Sequence, residues 1–207
     1  MTQNDQLAEL AHIRGLMDRS TRFLSLSGLS GVVAGAIAIA GVTLARYHIT
    51  QGLAPDADVL TYGTERGYSP VDDLRLTLIM DAAVVLCMAL LGAFWFTWRR
   101  SRRTGQYLWD ASARRLMVNL FVPLGVGGVF CLALFYYGLP GLVAPATLMF
   151  YGLALFSASK YTLDEIRWLG VSELVLGVVA LFWLDAALLF WALGFGVLHI
   201  FYGGLMY

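Results

Sequence analysis

Residues Thr162–Tyr207 read TLDEIRWLGVSELVLGVVALFWLDAALLFWALGFGVLHIFYGGLMY. Two apolar runs, 163–183 and 185–206, flank a turn at Trp183-Leu184-Asp185. At about 1.5 Å per residue, each run as an α-helix spans a hydrocarbon layer about 30 Å thick. Each carries one ionisable residue in its interior, Glu173 in the first and His199 in the second. Gly170 and Gly177 share the face of Glu173, and Gly196 and Gly203 share that of His199. Small residues above and below a polar side chain let helices close around it. Antiparallel helices on so short a turn pack side by side, and the two groups fall at similar depth. The spacing therefore predicts a Glu173–His199 pair in the half of the bundle nearer the cytosol.

The rest of the chain fits the same solvent. Of its 207 residues 59% are hydrophobic and 14% charged, with a mean hydropathy of +0.70. Soluble domains carry about 25% charged residues, so a soluble fold would lack the polar surface to cover itself. The expected class is all-α, a polytopic membrane helical bundle. Formal net charge is zero, and no compact basic domain suits nucleic acid. Cys87 and Cys131 both sit in apolar runs and read as packing residues. The first 22 residues lack the short apolar core of a cleavable signal. Leu7, Leu10, Ile13, Leu16 and Met17 recur instead at helical spacing among charges, which predicts an amphipathic helix over 1–22 lying on the membrane surface or on the protein's own cytosolic face.

Six spans are predicted, at about 23–45, 74–98, 115–137, 141–159, 163–183 and 185–206. In the first, Gly31 and Gly35 form a small-xxx-small face suited to close packing inside the chain or between two copies. Residues 46–69 form the one long loop. Ser69-Pro70-Val71-Asp72 then reads as a helix start. The second span carries Asp81 near its outer end and finishes on an aromatic belt and four arginines. Pro123 and its neighbouring glycines predict a kink or local unwinding in the third span. Thr162-Leu163-Asp164-Glu165 reads as a capping box, with Tyr161 and Ile166 placed as a hydrophobic staple. Eleven Lys and Arg fall on the side of the termini and only Arg46, Arg66 and Arg75 on the other. That asymmetry predicts both termini in the cytoplasm and the 46–69 loop outside.

Ser25–Gly35 (SLSGLSGVVAG), Ser157–Gly170 (SASKYTLDEIRWLG) and Gly194–Gly204 (GFGVLHIFYGG) resemble an uncharacterised group of bacterial inner-membrane proteins. The resemblance covers about a third of the chain. It implies a multi-pass protein of the inner membrane and brings no activity, cofactor or site residue.

Ionisable groups inside a span cost a few kcal/mol, by insertion scales about 2.5–3.5, and mark functional candidates. Here they are Glu173, His199 and Asp81, with Ser27 and Ser30 entering the first span from the side of the Glu–His pair. The expected polar layer is Ser27, Ser30, Glu173 and His199. Gly28-Leu29-Ser30-Gly31 also matches the Gly-x-Ser-Gly nucleophile motif of rhomboid-type intramembrane proteases, with His199 as the prospective base. His12, His48 and His199 are scattered and show no metal-ligand spacing, and no phosphate loop or dinucleotide fingerprint occurs. Neither a metal nor a cofactor is expected. The reading is a non-catalytic module, a scaffold, sensor or accessory subunit, that sits in membrane lipid and binds a protein partner or second copy, a lipid or a small ligand. Its rivals are a small transporter or channel using Glu173 and His199, and an intramembrane serine hydrolase built on Ser30 and His199.

Overall fold

A computed structural model of the chain describes residues 28–52, 70–104, 109 and 111–206. The amphipathic segment 1–22, Ser27 and the loop residues 53–69 lie outside the described residues. Within them the regular structure is helical: α1 Gly28–Gly52, α2 Pro70–Thr104, α3 Ala111–Tyr136, α4 Val143–Ala158, α5 Asp164–Leu181 and α6 Leu184–Leu205. Short 3-10 turns, Pro140–Leu142 and Ser159–Tyr161, flank α4. The last helix is composite: a 3-10 turn Leu184–Ala186, an α-helical turn Ala187–Trp191, a π-helical segment Ala192–Leu198 and a closing α-helix His199–Leu205.

Five of the six helices are long and apolar enough to cross a membrane. The remaining one, α5, holds Asp164, Glu165, Arg167 and Glu173 within 18 residues. Its composition alone therefore does not mark it as a span. With five such helices the protein is a multi-pass membrane protein in contact with lipid, and its exposed apolar side chains, among them Leu91, Phe94, Val129 and Leu132, face that solvent.

Helix ends differ from the sequence reading where local contacts decide them. Beyond Ala45, α1 continues through Arg46, Tyr47 and His48 to Gly52. The Thr50 hydroxyl bonds the Tyr47 carbonyl, and His48 is tied to α2, so this last stretch has partners as a helix. The capping box at Thr162 does not form. The N-cap of α5 is Leu163, with no side-chain cap, and Thr162 lies one position earlier and buried. The staple is absent as well: Tyr161 packs on Ala113, Leu116 and Ala158, whereas Ile166 packs on Leu155 and Leu169. Helix α3 runs without interruption through Pro123. It closes on Gly138, which adopts φ +71°. There Leu139 N–H bonds the Leu134 carbonyl and Gly138 N–H that of Phe135, a Schellman turn whose left-handed residue glycine tolerates best.

Close approach of glycines sets the packing order. Helix α2 docks on α1, where a Cβ at Gly41 would run into Val85. The opposite face of α1 meets α6: a Cβ on Gly31 would lie 3.1 Å from Gly203 Cα, and one on Gly35 2.5 Å from the Gly196 carbonyl oxygen. The Gly31–Gly35 face is thus used inside the chain against the very glycines, Gly196 and Gly203, that flank His199. Gly170 and Gly177 of α5 face α4 rather than α6, Gly170 against Gly152 and Gly177 against Met149. Helix α3 completes the other edge, with Gly127 pressed on Phe150 of α4. From one edge to the other the helices run α2, α1, α6, then α5 with α4, then α3.

Candidate functional site

Glu173 sits nine residues into α5, about 14 Å along the helix axis, on the Gly170–Gly177 face. Because those glycines draw α5 onto α4, the side chain between them is carried to the junction of α4, α5 and α6. It is fully buried, at 0% exposure, beside Leu148 of α4, also at 0%. From α6, Gly194 closes the third side, where any Cβ would run into Glu173 Oε2. Among the described residues neither carboxyl oxygen has a hydrogen-bond partner. Such orphaned buried groups are rare in folded proteins and call for an explanation.

His199 is 7% exposed and stands 3.4 Å from Glu173, Nδ1 to Oε1. Both its ring nitrogens are otherwise engaged. Nδ1 lies 3.1 Å from the Gly194 carbonyl oxygen and Nε2 2.8 Å from the Tyr151 hydroxyl. A carbonyl only accepts, so Nδ1 carries the proton and donates to Gly194; in the neutral ring Nε2 then accepts from Tyr151 O–H. Tyr151 also lies along the imidazole, ring centroids 5.4 Å apart, and Phe195 flanks both rings at 4.9 and 5.9 Å. The result is an apolar and aromatic sleeve around a three-residue polar chain: Tyr151, His199, Glu173.

The π-helical segment supplies the geometry. Gly194 belongs to Ala192–Leu198, where the turn holds one residue more than an α-turn. Single π turns inside α-helices occur often at functional sites. Here the segment presents the Gly194 carbonyl to Nδ1 and the bare Gly194 Cα to the carboxyl.

Of the residues singled out in the sequence, Glu173 and His199 meet in the structure. Ser30 is buried in the first turn of α1, next to Gly31, which backs on the His199 backbone carbonyl. Since Tyr151 and Gly194 occupy the two imidazole nitrogens, neither is left to serve Ser30 as a general base. Asp81 belongs elsewhere. It accepts a 2.7 Å hydrogen bond from His48 Nδ1, joining the far end of α1 to α2. His48 lies nine residues, about 14 Å along α1, from Ile39, which packs on Gly196 of the π-helical segment, so the pair is a separate contact and not part of the Glu173 site. Among the described residues no group of three or more His, Cys, Asp or Glu side chains is placed to hold a metal ion.

Sequence reasoning missed Tyr151, Gly194 and the partnership of His48 with Asp81. Tyr151 did leave a signal, for it lies eight residues inside α4, away from the interfacial belt where tyrosines usually sit. A phenol at that depth needs a hydrogen-bond partner, and His199 is the one it takes. No family model, curated protein or solved structure matches the chain, and no family is assigned to it.

Proposed function

We propose that the chain is a six-span protein of the bacterial cytoplasmic membrane that works as a non-catalytic helical module, a sensor, scaffold or accessory subunit. Its polar site is held closed inside the bundle. The observation that carries this reading is the state of His199. With Nε2 on Tyr151 and Nδ1 on Gly194, the one imidazole of the site is committed to structure and offers no free nitrogen for catalysis. The interlocked glycine faces of α1 with α6 and α4 with α5 favour a rigid frame around it. Orientation rests on charge. Exposed Arg99, Arg102 and Arg103 end α2, and exposed Arg114 and Arg115 begin α3, which favours a cytoplasmic α2–α3 connection and cytoplasmic termini. In this reading residues 163–183 make the sixth crossing, with Asp164, Glu165 and Arg167 at the membrane surface.

A second reading is favoured by one feature, the orphaned carboxyl of Glu173: the same site could pass protons or cations. Reconstitution in liposomes separates the two. The expected result is that wild-type protein, Glu173→Gln and His199→Ala all show proton and cation flux no higher than protein-free liposomes. Flux in the wild type that is abolished by Glu173→Gln would overturn the module reading in favour of the transporter.

A further inference from the structure

We propose that the Glu173–His199 contact binds one exchangeable proton, and that the π-helical turn of α6 reads its presence through the Gly194 carbonyl. The proposal rests on the module reading and makes that module a proton sensor. Three observations converge on it. Glu173 is wholly buried, and among the described residues neither of its oxygens has a hydrogen-bond partner. His199 Nδ1 faces two competing acceptors, Gly194 O at 3.1 Å and Glu173 Oε1 at 3.4 Å. The first of these is the backbone carbonyl of a π turn, a local geometry whose hydrogen bonds are offset by one residue from the α pattern.

The exchange follows from that competition. With the proton on Glu173, the carboxyl is neutral, and the single Nδ1–H stays on Gly194. When the Glu173 O–H bond breaks, the electron pair remains on the carboxylate and the proton passes to water. The carboxylate is then the stronger acceptor, since charge-assisted hydrogen bonds are about twice as strong as neutral ones. Nδ1–H turns to Oε1, closing the 3.4 Å separation toward a charge-assisted distance of about 2.7–2.9 Å, while Nε2 keeps its bond from Tyr151. Gly194 O is released and becomes available to Leu198 N–H, its partner in an α-helix.

A change of turn in Ala192–Leu198 cannot stay local. Gly196 lies against Ile39, and Gly203 against the Gly28 carbonyl and Val32 N–H, so a register change in α6 is transmitted to α1. Among the described residues the titratable groups that reach Glu173 from the helices packed around it are Tyr151 of α4 and His199 of α6; α1 faces the site through Gly31 and the His199 backbone. One carboxyl and one imidazole therefore set the response.

The test uses the whole protein in lipid nanodiscs across a pH series. Infrared difference spectra report the C=O stretch of a protonated buried carboxyl, and amide hydrogen exchange reports the 192–198 turn. The expected result is one carboxyl band lost as pH rises, with exchange at 192–198 changing at the same midpoint. Glu173→Gln should lack both the band and the pH-dependent exchange, and replacing Na⁺ by K⁺ at fixed pH should change neither. Should Glu173→Gln fail to fold, ¹⁵N spectra of wild-type His199 decide: the Nδ1 resonance must move at the carboxyl midpoint. A band invariant over the pH range in which the protein stays folded, an Nδ1 resonance that does not move, exchange changes that persist in Glu173→Gln, or a response to Na⁺ would each overturn the proposal. The outcomes are distinguishable from those of the flux assay. Flux that depends on Glu173 removes the module reading and leaves proton binding standing, whereas a silent carboxyl does the reverse.

Discussion

Gly194→Ala places a methyl group where α4, α5 and α6 meet, and its cost follows from the packing. The added Cβ would run into Glu173 Oε2 and lie 2.5 Å from Leu148 Cδ2. Carbon atoms in contact prefer about 3.5–4.0 Å, so Leu148 must retreat by an ångström or more. Leu148 has no exposed surface, so it must repack against buried neighbours to make room. Overpacking of this kind costs about 1–3 kcal/mol. Alanine regains about 1 kcal/mol of helix propensity over glycine, and Gly204→Ala isolates that gain. Gly204 is in the same helix, with nothing within 4 Å of its prospective Cβ. The propensity gain cancels between the two variants, which should differ by about 1–3 kcal/mol, Gly204→Ala being the more stable. Denaturant titration in mixed micelles measures that difference. Adding Glu173→Ala removes the overlap with Oε2, so the pair should be non-additive by about 0.5–3 kcal/mol. Equal stability of Gly194→Ala and Gly204→Ala, or strict additivity with Glu173→Ala, would refute the three-helix junction.

Tyr151→Phe keeps the ring stack and removes the donor to His199 Nε2; hydrogen bonds between membrane helices average about 0.6 and reach about 1.7 kcal/mol, and unfolding titration should show a loss in that range together with a shifted Nε2 resonance in ¹⁵N spectra. Asp81→Ala removes the partner of His48, whose side chain is 29% exposed against 16% for Asp81; a partly exposed pair is worth less than about 1 kcal/mol, so global stability should barely change while amides of α2 near residue 81 exchange faster and those of α5 do not. Trp109, 72% exposed between α2 and α3, provides a topology probe, and Trp109→Cys should be labelled by an impermeant thiol reagent from the cytoplasmic side alone.

The membrane class was legible in the sequence because the bilayer writes it into length and composition, and five helices carry that mark plainly. The meeting of Glu173 and His199 was legible too, since a short turn at Trp183–Asp185 leaves α5 and α6 no choice but to be neighbours. What composition could not convey was which helix each glycine faces. Gly170 and Gly177 mark a packing face in the sequence without naming its partner; in the structure they serve α4, because on a 3.6-residue helix a stripe identifies a face and not its occupant. The capping box misled for a related reason: at Thr162 the motif was present, but the chain takes a 3-10 turn through Ser159–Tyr161, and the helix begins one residue late for the threonine to cap it. The π turn left no trace, as Ala192–Leu198 is an ordinary apolar helical sequence. Its extra residue is visible only once Gly194 is seen between a carboxyl and an imidazole.

The helix that composition does not mark as a span, α5, is the one that brings the acid into the bundle, and this bears on what the acid is for. Asp164, Glu165 and Arg167 lie in its first turn, where a membrane surface can solvate them, so Glu173 is its single interior ionisable group. A residue kept for holding helices together would be expected to make bonds, yet both Glu173 oxygens lack one among the described residues. The contacts that join α5 to α4 are supplied by Gly170 and Gly177, and those from α4 to α6 by Tyr151 with His199. Replacing a buried polar group by an apolar one of similar volume is often neutral or stabilising, so stability gives no reason for a carboxylic acid at this position. An acid differs from glutamine or leucine of like size in one respect that the site can use, an exchangeable proton. The donor able to answer its loss, His199 Nδ1–H, stands 3.4 Å away, held for the moment by a carbonyl that the helix could satisfy by itself.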